Sequence, residues 1–151
     1  LNVSVMAEGK QSNDGTTVQD WKSLEGLHAA AQEGNVDAVR QILSSDSTSI
    51  NAQNEEGMTA LHWACDCGHS EVVSVLLKEN ASLEIKEKRD GMTPLHFAIP
   101  NEKVAELLIL AGADVNAKDN DGISCLDMCD DPEQGEDRMK RGKVERLLAQ
   151  R

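Results

Sequence analysis

Four segments of the chain place apolar residues three and four positions apart, which is the spacing of one face of an α-helix. These residues are Val39, Ile42 and Leu43; Val72, Val73, Leu76 and Leu77; Val104, Leu108 and Ile109; and Val144, Leu147 and Leu148. Short extended stretches follow the first three segments, at 50–52, 83–85 and 115–117. The pattern predicts short amphipathic helices that alternate with polar turns.

A six-residue motif recurs ahead of the helical segments. Gly57–His62 reads GMTALH and Gly91–His96 reads GMTPLH, so five of six positions agree at a spacing of 34 residues. A third copy, GISCLD, begins at Gly122, and Leu27-His28 lies 34 residues before Leu61-His62. This period indicates a repeat protein, because short helix pairs bury their apolar faces only by stacking on neighbouring pairs.

The residue types around the motif predict the ends of the helices. Hydroxyl side chains stand at the N-cap position, where they bond free backbone amides. These residues are Thr59, Thr93 and Ser124. Pro94 takes the first helical position, where its missing N–H costs little. Glycines stand in the polar turns and after the first helix of a pair, where a left-handed backbone is expected. These are Gly57, Gly91 and Gly122, and Gly34 and Gly68.

The period, the segment Thr93–His96, the pair Gly68-His69 and the segment Gly112–Asn116 resemble ankyrin repeats. The resemblance covers about residues 24–151. It implies an all-α ankyrin-repeat solenoid of stacked helix-turn-helix units with β-hairpin loops. The expected division is a linker or disordered lead-in at 1–20 and a repeat domain at 21–151, with four repeats at 24–53, 54–87, 88–118 and 119–151.

The third and fourth repeats depart from the common pattern. The third is two residues short between its helices, and Pro100 is expected to shorten its first helix. The fourth carries about six extra residues between Asp130 and Lys143, which predicts an exposed polar loop. Acidic residues lie near this loop and basic residues lie in the last helix. This end is either a solubilising cap or a basic site for an anionic partner.

Composition narrows the functional classes. The formal net charge of −12 argues against nucleic acid as a partner, because phosphate binding needs clustered Lys and Arg. Aromatic residues make up only 2% of the chain, which favours an aliphatic core of short helices over a β-sandwich. The sequence contains no run of 18 apolar residues, so no membrane span is predicted. The chain begins at Leu1, and we interpret it as part of a longer protein.

The histidines and cysteines are interpreted as structural. His62, His69 and His96 recur with the repeat, which indicates an architectural role. The four cysteines fit no common zinc spacing, and Cys67 is expected to be the exposed thiol. Free thiols indicate a reducing compartment, so we expect the cytoplasm, with the nucleus as the alternative. The sequence shows no catalytic motif, so an enzyme, a cofactor and a metal are not expected.

The resemblance to ankyrin repeats implies that the hairpin tips and the first helices line a concave groove that binds a partner. Met58, Met92 and Ile123 follow the turn glycines, and they either form an apolar row or pack between neighbouring hairpins. Trp63 and Phe97 are candidate anchors or partly buried spacers. The polar members of the predicted site are Glu55, Glu56, Asp66, Arg89, Asp90, Asn120 and Asp121. An acidic groove with apolar spots predicts a protein partner with a basic or amphipathic peptide, bound by a monomer.

The segments Leu27–Gly34, Thr59–His69 and Leu126–Cys129 resemble the ankyrin region of multidomain acyl-CoA-binding proteins. In that family a helical acyl-CoA-binding domain precedes a linker and a few ankyrin repeats. The resemblance implies a lipid carrier whose repeats recruit a protein, and acyl-CoA would bind only to the upstream domain. The alternative is an ankyrin module that targets or regulates an attached enzyme or signalling domain.

Overall fold

A computed structural model describes residues 24–130 and 140–150. Eight α-helices and one 3-10 helix lie in these ranges. In chain order they are α1 (Leu24–Glu33), α2 (Val36–Ser45), the 3-10 helix (Ser47–Asn51), α3 (Ala60–Asp66), α4 (Ser70–Lys78), α5 (Pro94–Ala98), α6 (Glu102–Ala111), α7 (Cys125–Cys129) and α8 (Arg141–Leu148). The predicted lead-in at 1–20 and most of the predicted polar loop lie outside the described residues.

The helices form two layers. Consecutive helices contact each other as the pairs α1–α2, α3–α4, α5–α6 and α7–α8. The first helices of the pairs pack in the row α1, α3, α5 and α7, and the second helices pack in the row α2, α4, α6 and α8. Each pair therefore completes its apolar face against the next pair, as in a linear repeat protein. This arrangement confirms the predicted all-α solenoid of stacked helix-turn-helix units.

The predicted caps stand at the starts of the first helices of the pairs, which we call the inner helices. Thr59, Thr93 and Ser124 occupy the N-cap positions of α3, α5 and α7. The Ser124 Oγ accepts the Asp127 N–H at 3.1 Å, which satisfies one of the free amides at the start of α7. Pro94 is the first residue of α5, as expected from its fixed φ and missing donor.

The second helices of the pairs, which we call the outer helices, use a different residue type as a cap. The side chains of Asn35 and Asn101 accept the N–H groups of Ala38 and Val104, three residues on, at 3.0 and 3.2 Å. In the third repeat α5 has only five residues and ends at Ala98, two residues before Pro100. The predicted shortening of this helix is therefore observed, although Ile99, the residue before Pro100, keeps right-handed helical angles of φ −52° and ψ −39°.

The core between the layers is aliphatic. Its largest fully buried apolar side chains are Leu27, Val39, Leu61, Val72, Leu76, Leu95, Ile99, Leu108 and Ile109. Trp63 and Phe97 are half-buried and pack against the edge of this core. The apolar positions that predict α2, α4, α6 and α8 face it, and most are fully buried. The low aromatic content therefore matches a core filled by Leu, Ile, Val and Ala.

The expected hairpins are present as turns and not as paired strands. Among residues 24–130 and 140–150 the only β pairing is an isolated antiparallel bridge between Lys118 and Ser124. Each turn therefore has to be held by other hydrogen bonds. No helix in the described ranges has the length and apolar content that crossing a bilayer requires.

Candidate partner-binding groove

Three turns project ahead of α3, α5 and α7 and share one backbone frame. They span 54–58, 87–92 and 119–123, and we name them finger 1, finger 2 and finger 3. In each finger the N–H of the first residue donates to the carbonyl of the last residue at 3.0 Å. The glycine before the last residue has a positive φ of 81°, 69° and 79°, respectively, which confirms the predicted left-handed turns.

In fingers 1 and 3 the side chain of the first residue anchors the turn. The Asn54 Oδ1 accepts the N–H groups of Glu56 and Met58 at 3.0 and 2.9 Å. The Asp119 Oδ1 accepts the N–H groups of the equivalent residues of finger 3 at 3.0 and 2.9 Å. One short side-chain oxygen therefore organises a turn of five residues.

Finger 2 is one residue longer, and its anchor is one methylene longer. The Glu87 carboxylate accepts the N–H groups of Arg89, Asp90 and Met92 at 2.6, 2.7 and 3.1 Å. Glu87 is only 6% exposed. Burial opposes its charge, but hydrogen bonds from backbone amides outweigh burial and lower the pKa of this carboxyl. Glu87 is therefore a buried carboxylate that holds the turn in its charged form.

The fingers are joined to each other in a row. The Lys88 N–H donates to the Glu56 carbonyl at 2.9 Å, and the Asn120 N–H donates to the Asp90 carbonyl at 2.8 Å. The Lys88 Nζ also donates to the Glu55 carbonyl at 3.2 Å. These bonds fix the side chains at the fingertips relative to one another, so the surface is built before any partner arrives.

The histidines of the motif connect each inner helix to the next finger. The Thr59 N–H donates to the His62 Nδ1 at 3.1 Å, so the ring proton lies on Nε2 and faces the Met92 carbonyl at 3.3 Å. His96 repeats this arrangement with finger 3, where its Nε2 lies 3.3 Å from the Ile123 carbonyl. Burial lowers the pKa of His62 to about 4, so its ring is neutral at physiological pH.

The remaining motif positions also have structural partners. The His69 Nε2 lies 2.9 Å from the Gln32 carbonyl, which links two repeats at the C-terminal ends of α1 and α3. In the last repeat Asp127 replaces the histidine, and its Oδ2 accepts the Ser124 N–H at 3.0 Å. The structural interpretation of the repeated histidines is therefore confirmed by their bonds.

A central cavity of about 390 Å³ opens between fingers 1 and 2 and the inner helices. Trp63 on α3 and Phe97 on α5 both line it, and Met58 contributes a side chain that is only 7% exposed. The charged residues around it are Glu56, Asp66, Glu87, Lys88, Arg89 and Asp90. The structure thus brings seven of the predicted site residues to one cavity.

A second cavity of about 450 Å³ lies beside the first, towards α1. It is lined by His28, Ala29, Gln32, Asn54, Glu55, Glu56 and Trp63. Trp63 and Glu56 border both cavities, so the indole stands between two adjacent recesses of the groove. Glu55 belongs to this second recess and not to the central cavity.

The acidic side chains of this surface are largely uncompensated. The ion pairs found in the described parts of the chain do not involve Glu55, Glu56 or Asp66. Arg89 is the only groove cation that approaches a carboxylate in those ranges, and its Nε lies 3.9 Å from the Asp90 Oδ2. Such an exposed pair contributes little energy, so the field of the free carboxylates dominates the groove.

The predicted residues of finger 3 lie apart from the cavities. Asn120 and Asp121 are exposed, and Ile123 is 44% exposed at the end of the finger row. Met92 is half-buried under finger 3. The three residues after the turn glycines therefore range from buried Met58 to exposed Ile123, and only Met58 contributes to the central cavity.

The cysteines form no site. None of the four is in a disulfide, Cys65 and Cys125 are buried, and Cys67 is exposed, as expected. Burial raises the pKa of the Cys125 thiol to about 12, which keeps it protonated. Within the described ranges no group of His, Cys, Asp or Glu side chains has the geometry to hold a metal ion.

The central cavity contains two residues that were not predicted from the sequence, and the second cavity contains four more, His28, Ala29, Gln32 and Asn54. Glu87 and Lys88 line the central cavity and hold finger 2. The fixed spacing of 34 residues aligns Asn54 with Lys88, so it misses the true anchor at Glu87 by one position. The detectable signal is the extra residue between Glu87 and Gly91, compared with the distance from Asn54 to Gly57.

Stacked helix pairs with finger-like turns and a preformed groove define a protein-interaction repeat. A family profile for ankyrin repeats, in three copies, matches residues 27–119, and the chain belongs to this family. Ankyrin repeats are non-catalytic modules that bind proteins, so this region is a protein-interaction module. A search of curated proteins finds no match to the chain.

Proposed function

We propose that the groove binds a basic or amphipathic peptide segment of a partner protein. The observation that carries this proposal is the central cavity, where Trp63 and Phe97 lie beside the carboxylates of Glu56 and Asp66, which form no ion pair with any described residue. Aromatic side chains in a recess supply apolar contact area, and the carboxylates attract a positively charged segment. The exposed residues of finger 3, Asn120, Asp121 and Ile123, extend the site towards the end of the row.

The finger row supports the proposal because it is rigid. Hydrogen bonds within and between the fingers fix the backbone that carries the acidic side chains. A preformed surface avoids the entropy cost of ordering loops on binding. The proposal assigns this chain a binding role as a monomer, with no catalytic activity, cofactor or nucleic-acid partner. Its location in the cytoplasm or nucleus rests on the four free thiols.

A phage-displayed peptide library tests the proposal with the full chain as bait. We expect enrichment of peptides that combine Lys or Arg with apolar residues. Simultaneous charge reversal of Glu55, Glu56 and Asp90 to Lys should abolish binding of the enriched peptides. The matched control reverses three acids of the outer layer and should retain binding. These are Asp37 in α2, Glu71 in α4 and Glu79 at the C-cap of α4. Equal binding by both triple variants would show that the groove is not the site.

The more specific form of the proposal makes this chain the ankyrin part of an acyl-CoA-binding, lipid-carrier protein. It is supported by the sequence resemblance of Leu27–Gly34, Thr59–His69 and Leu126–Cys129, and by no contact in the groove. The net charge of −12 opposes direct binding of the anionic CoA moiety. The proposal therefore places acyl-CoA on a separate helical domain of the same protein, and the groove recruits the protein partner.

The coding sequence upstream of Leu1 distinguishes the lipid carrier from its alternative. An upstream helical domain that binds acyl-CoA in a calorimetric titration would support the carrier. An upstream catalytic or signalling signature would instead support a module that targets or regulates an attached domain. In either case we expect no heat of binding when acyl-CoA is titrated into the chain described here.

A further inference from the structure

The central cavity has features that select a particular kind of side chain, and this inference rests on the proposed function of the groove. Its apolar surface comes from Trp63, Phe97 and Met58. The Phe97 ring contacts His62 edge-on, with centroids 5.7 Å apart and planes at 81°. The His62 ring is held by Thr59 and by the Met92 carbonyl, so Phe97 packs against a ring whose orientation is fixed.

The charged groups that line this cavity differ in whether they already have a partner. The Glu87 carboxylate is occupied by backbone amides, and the Lys88 amine donates to the Glu55 carbonyl. The Arg89 side chain is 89% exposed and lies near Asp90. Glu56 and Asp66 form no ion pair in the described ranges. The cavity therefore presents two carboxylates without an ion pair among the described residues, and the two cations that line it, Lys88 and Arg89, each lie near an oxygen of a finger.

An uncharged occupant would fit this cavity poorly. An apolar side chain would displace water from Glu56 and Asp66 without giving them a partner, and that desolvation is costly. A long basic side chain gives the carboxylates a partner and still uses the apolar surface. Its methylene stem packs on Trp63, Phe97 and Met58 while its cation reaches the carboxylates, and a cation near an aromatic face gains further energy.

We propose that the central cavity is a subsite for one Lys or Arg side chain of the partner peptide. Glu56 and Asp66 bind the cation, and Trp63 and Phe97 contact the stem. The second cavity, on the other side of Trp63, receives a different residue of the same peptide. The subsite thus determines where a basic residue stands in the partner sequence.

A double-mutant cycle with a peptide enriched from the library tests the subsite. The peptide is synthesised with each Lys or Arg replaced in turn by norleucine, which keeps an apolar stem and removes the cation. Glu56→Gln with Asp66→Asn should weaken the parent peptide about fivefold, as expected for two partly exposed ion pairs. One norleucine peptide should bind the wild-type chain about fivefold more weakly and should lose nothing further with the double variant.

The matched control is Glu71→Gln in α4 with Glu79→Gln at the C-cap of α4, which removes the same charge from the outer layer. It should leave the preference for the basic residue over norleucine unchanged. If the double variant in the cavity and every norleucine replacement act additively, the subsite is wrong while the groove remains the binding site. If no peptide is enriched, the proposed function fails, and a small probe decides the subsite.

That probe is n-butylguanidinium, with n-butanol as the neutral compound of similar length. Both are titrated into the 15N-labelled chain, and the indole N–H signals are recorded, with Trp63→Phe used for assignment. The Trp63 Nε1 is buried and has no hydrogen-bond acceptor among the described residues, so its signal reports on the cavity. Shifts from the cation that disappear in Glu56→Gln with Asp66→Asn would support the subsite. Equal shifts from butanol, or shifts that persist in the variant, would overturn it.

Discussion

Finger 2 and the fingers on either side reach the same backbone frame from different sequences. Fingers 1 and 3 have five residues and use Asn54 or Asp119 as an anchor, with one oxygen bound to two amides. Finger 2 has six residues and uses Glu87, whose two oxygens bind three amides. The added residue supplies one more free N–H, and the longer carboxylate reaches it. Anchor length and turn length therefore have to change together.

The difference also determines what the groove contains. The extra residue of finger 2 places Arg89 at the tip of the central finger, with 89% of its side chain exposed. Because Glu87 is turned inward, its negative charge stabilises the turn and does not pair with Arg89. Finger 2 therefore contributes an exposed cation and a buried anion, whereas finger 1 contributes two exposed carboxylates, Glu55 and Glu56.

The largest expected effect comes from removing the finger 2 anchor. Glu87→Ala removes a buried carboxylate and leaves three amides of finger 2 without their acceptor, so the free energy of unfolding should fall by about 3 kcal/mol. Urea unfolding monitored by circular dichroism measures this loss. Glu79→Ala, at the exposed C-cap position after α4, serves as the control and should change stability by less than about 0.5 kcal/mol. A loss below about 1 kcal/mol for Glu87→Ala would show that the turn is not held by its anchor.

Matching the lengths should restore part of the lost stability. Glu87→Asp shortens the anchor in a six-residue turn, and we expect a loss of about 2 kcal/mol. Deleting Arg89 in the same variant converts finger 2 to the five-residue geometry of its neighbours and should recover about half of that loss. The same urea experiment compares the two proteins. If the deletion adds to the loss, anchor length and turn length are not coupled.

Removing the finger 1 anchor should cost less. The Asn54 side chain is neutral and bonds two amides, so Asn54→Ala should lower the free energy of unfolding by about 1 kcal/mol. Asn54→Asp keeps the acceptor and should remain within about 0.5 kcal/mol of the wild type. A loss for Asn54→Ala that equals the loss for Glu87→Ala would contradict the comparison between the fingers.

Acid should weaken finger 2 and leave the Asn54 anchor unaffected. Hydrogen bonds lower the pKa of Glu87 below its ordinary value of 4.5, so its contribution is complete above that pH and is lost as the pH falls through the folded-state value. The stability difference between the wild type and Glu87→Gln should therefore shrink below pH 4.5. His62, whose pKa is about 4, titrates in the same range, and because the Glu87 charge raises that pKa, the His62 titration does not cancel completely in the difference. The difference between the wild type and Asn54→Ala should change less across the same range.

The sequence was sufficient for the parts of the fold that depend on local chemistry. Hydroxyl N-caps, the proline at the start of α5 and the turn glycines have the same geometry wherever they occur, so their positions could be predicted. The apolar spacing identified the buried faces of the outer helices. The 34-residue spacing does not locate the anchor of finger 2, because this finger has one more residue than finger 1 and its anchor is Glu87 and not the aligned Lys88.

The exposure of the groove residues could not be predicted, because it depends on the neighbouring repeat. A Cβ added to Gly57 would meet Lys88 at 2.8 Å, and one added to Gly91 would meet Asn120 at 2.3 Å, so each of these fingers is covered by the next. Gly122 has no atom within 4 Å of such a Cβ among the described residues. The same sequence position is therefore buried at Met58 and exposed at Ile123.

By itself the sequence determined the repeat, the aliphatic core, the helix boundaries and the structural role of the histidines, because these follow from period, caps and side-chain type. The tertiary structure decided which acidic residues remain unpaired, that Trp63 and Phe97 share one cavity, and that Glu87 faces inward. Those features arise where one finger rests on the next. Contacts between stacked units depend on the register of two turns, and a single added residue changes that register without changing the composition of the chain.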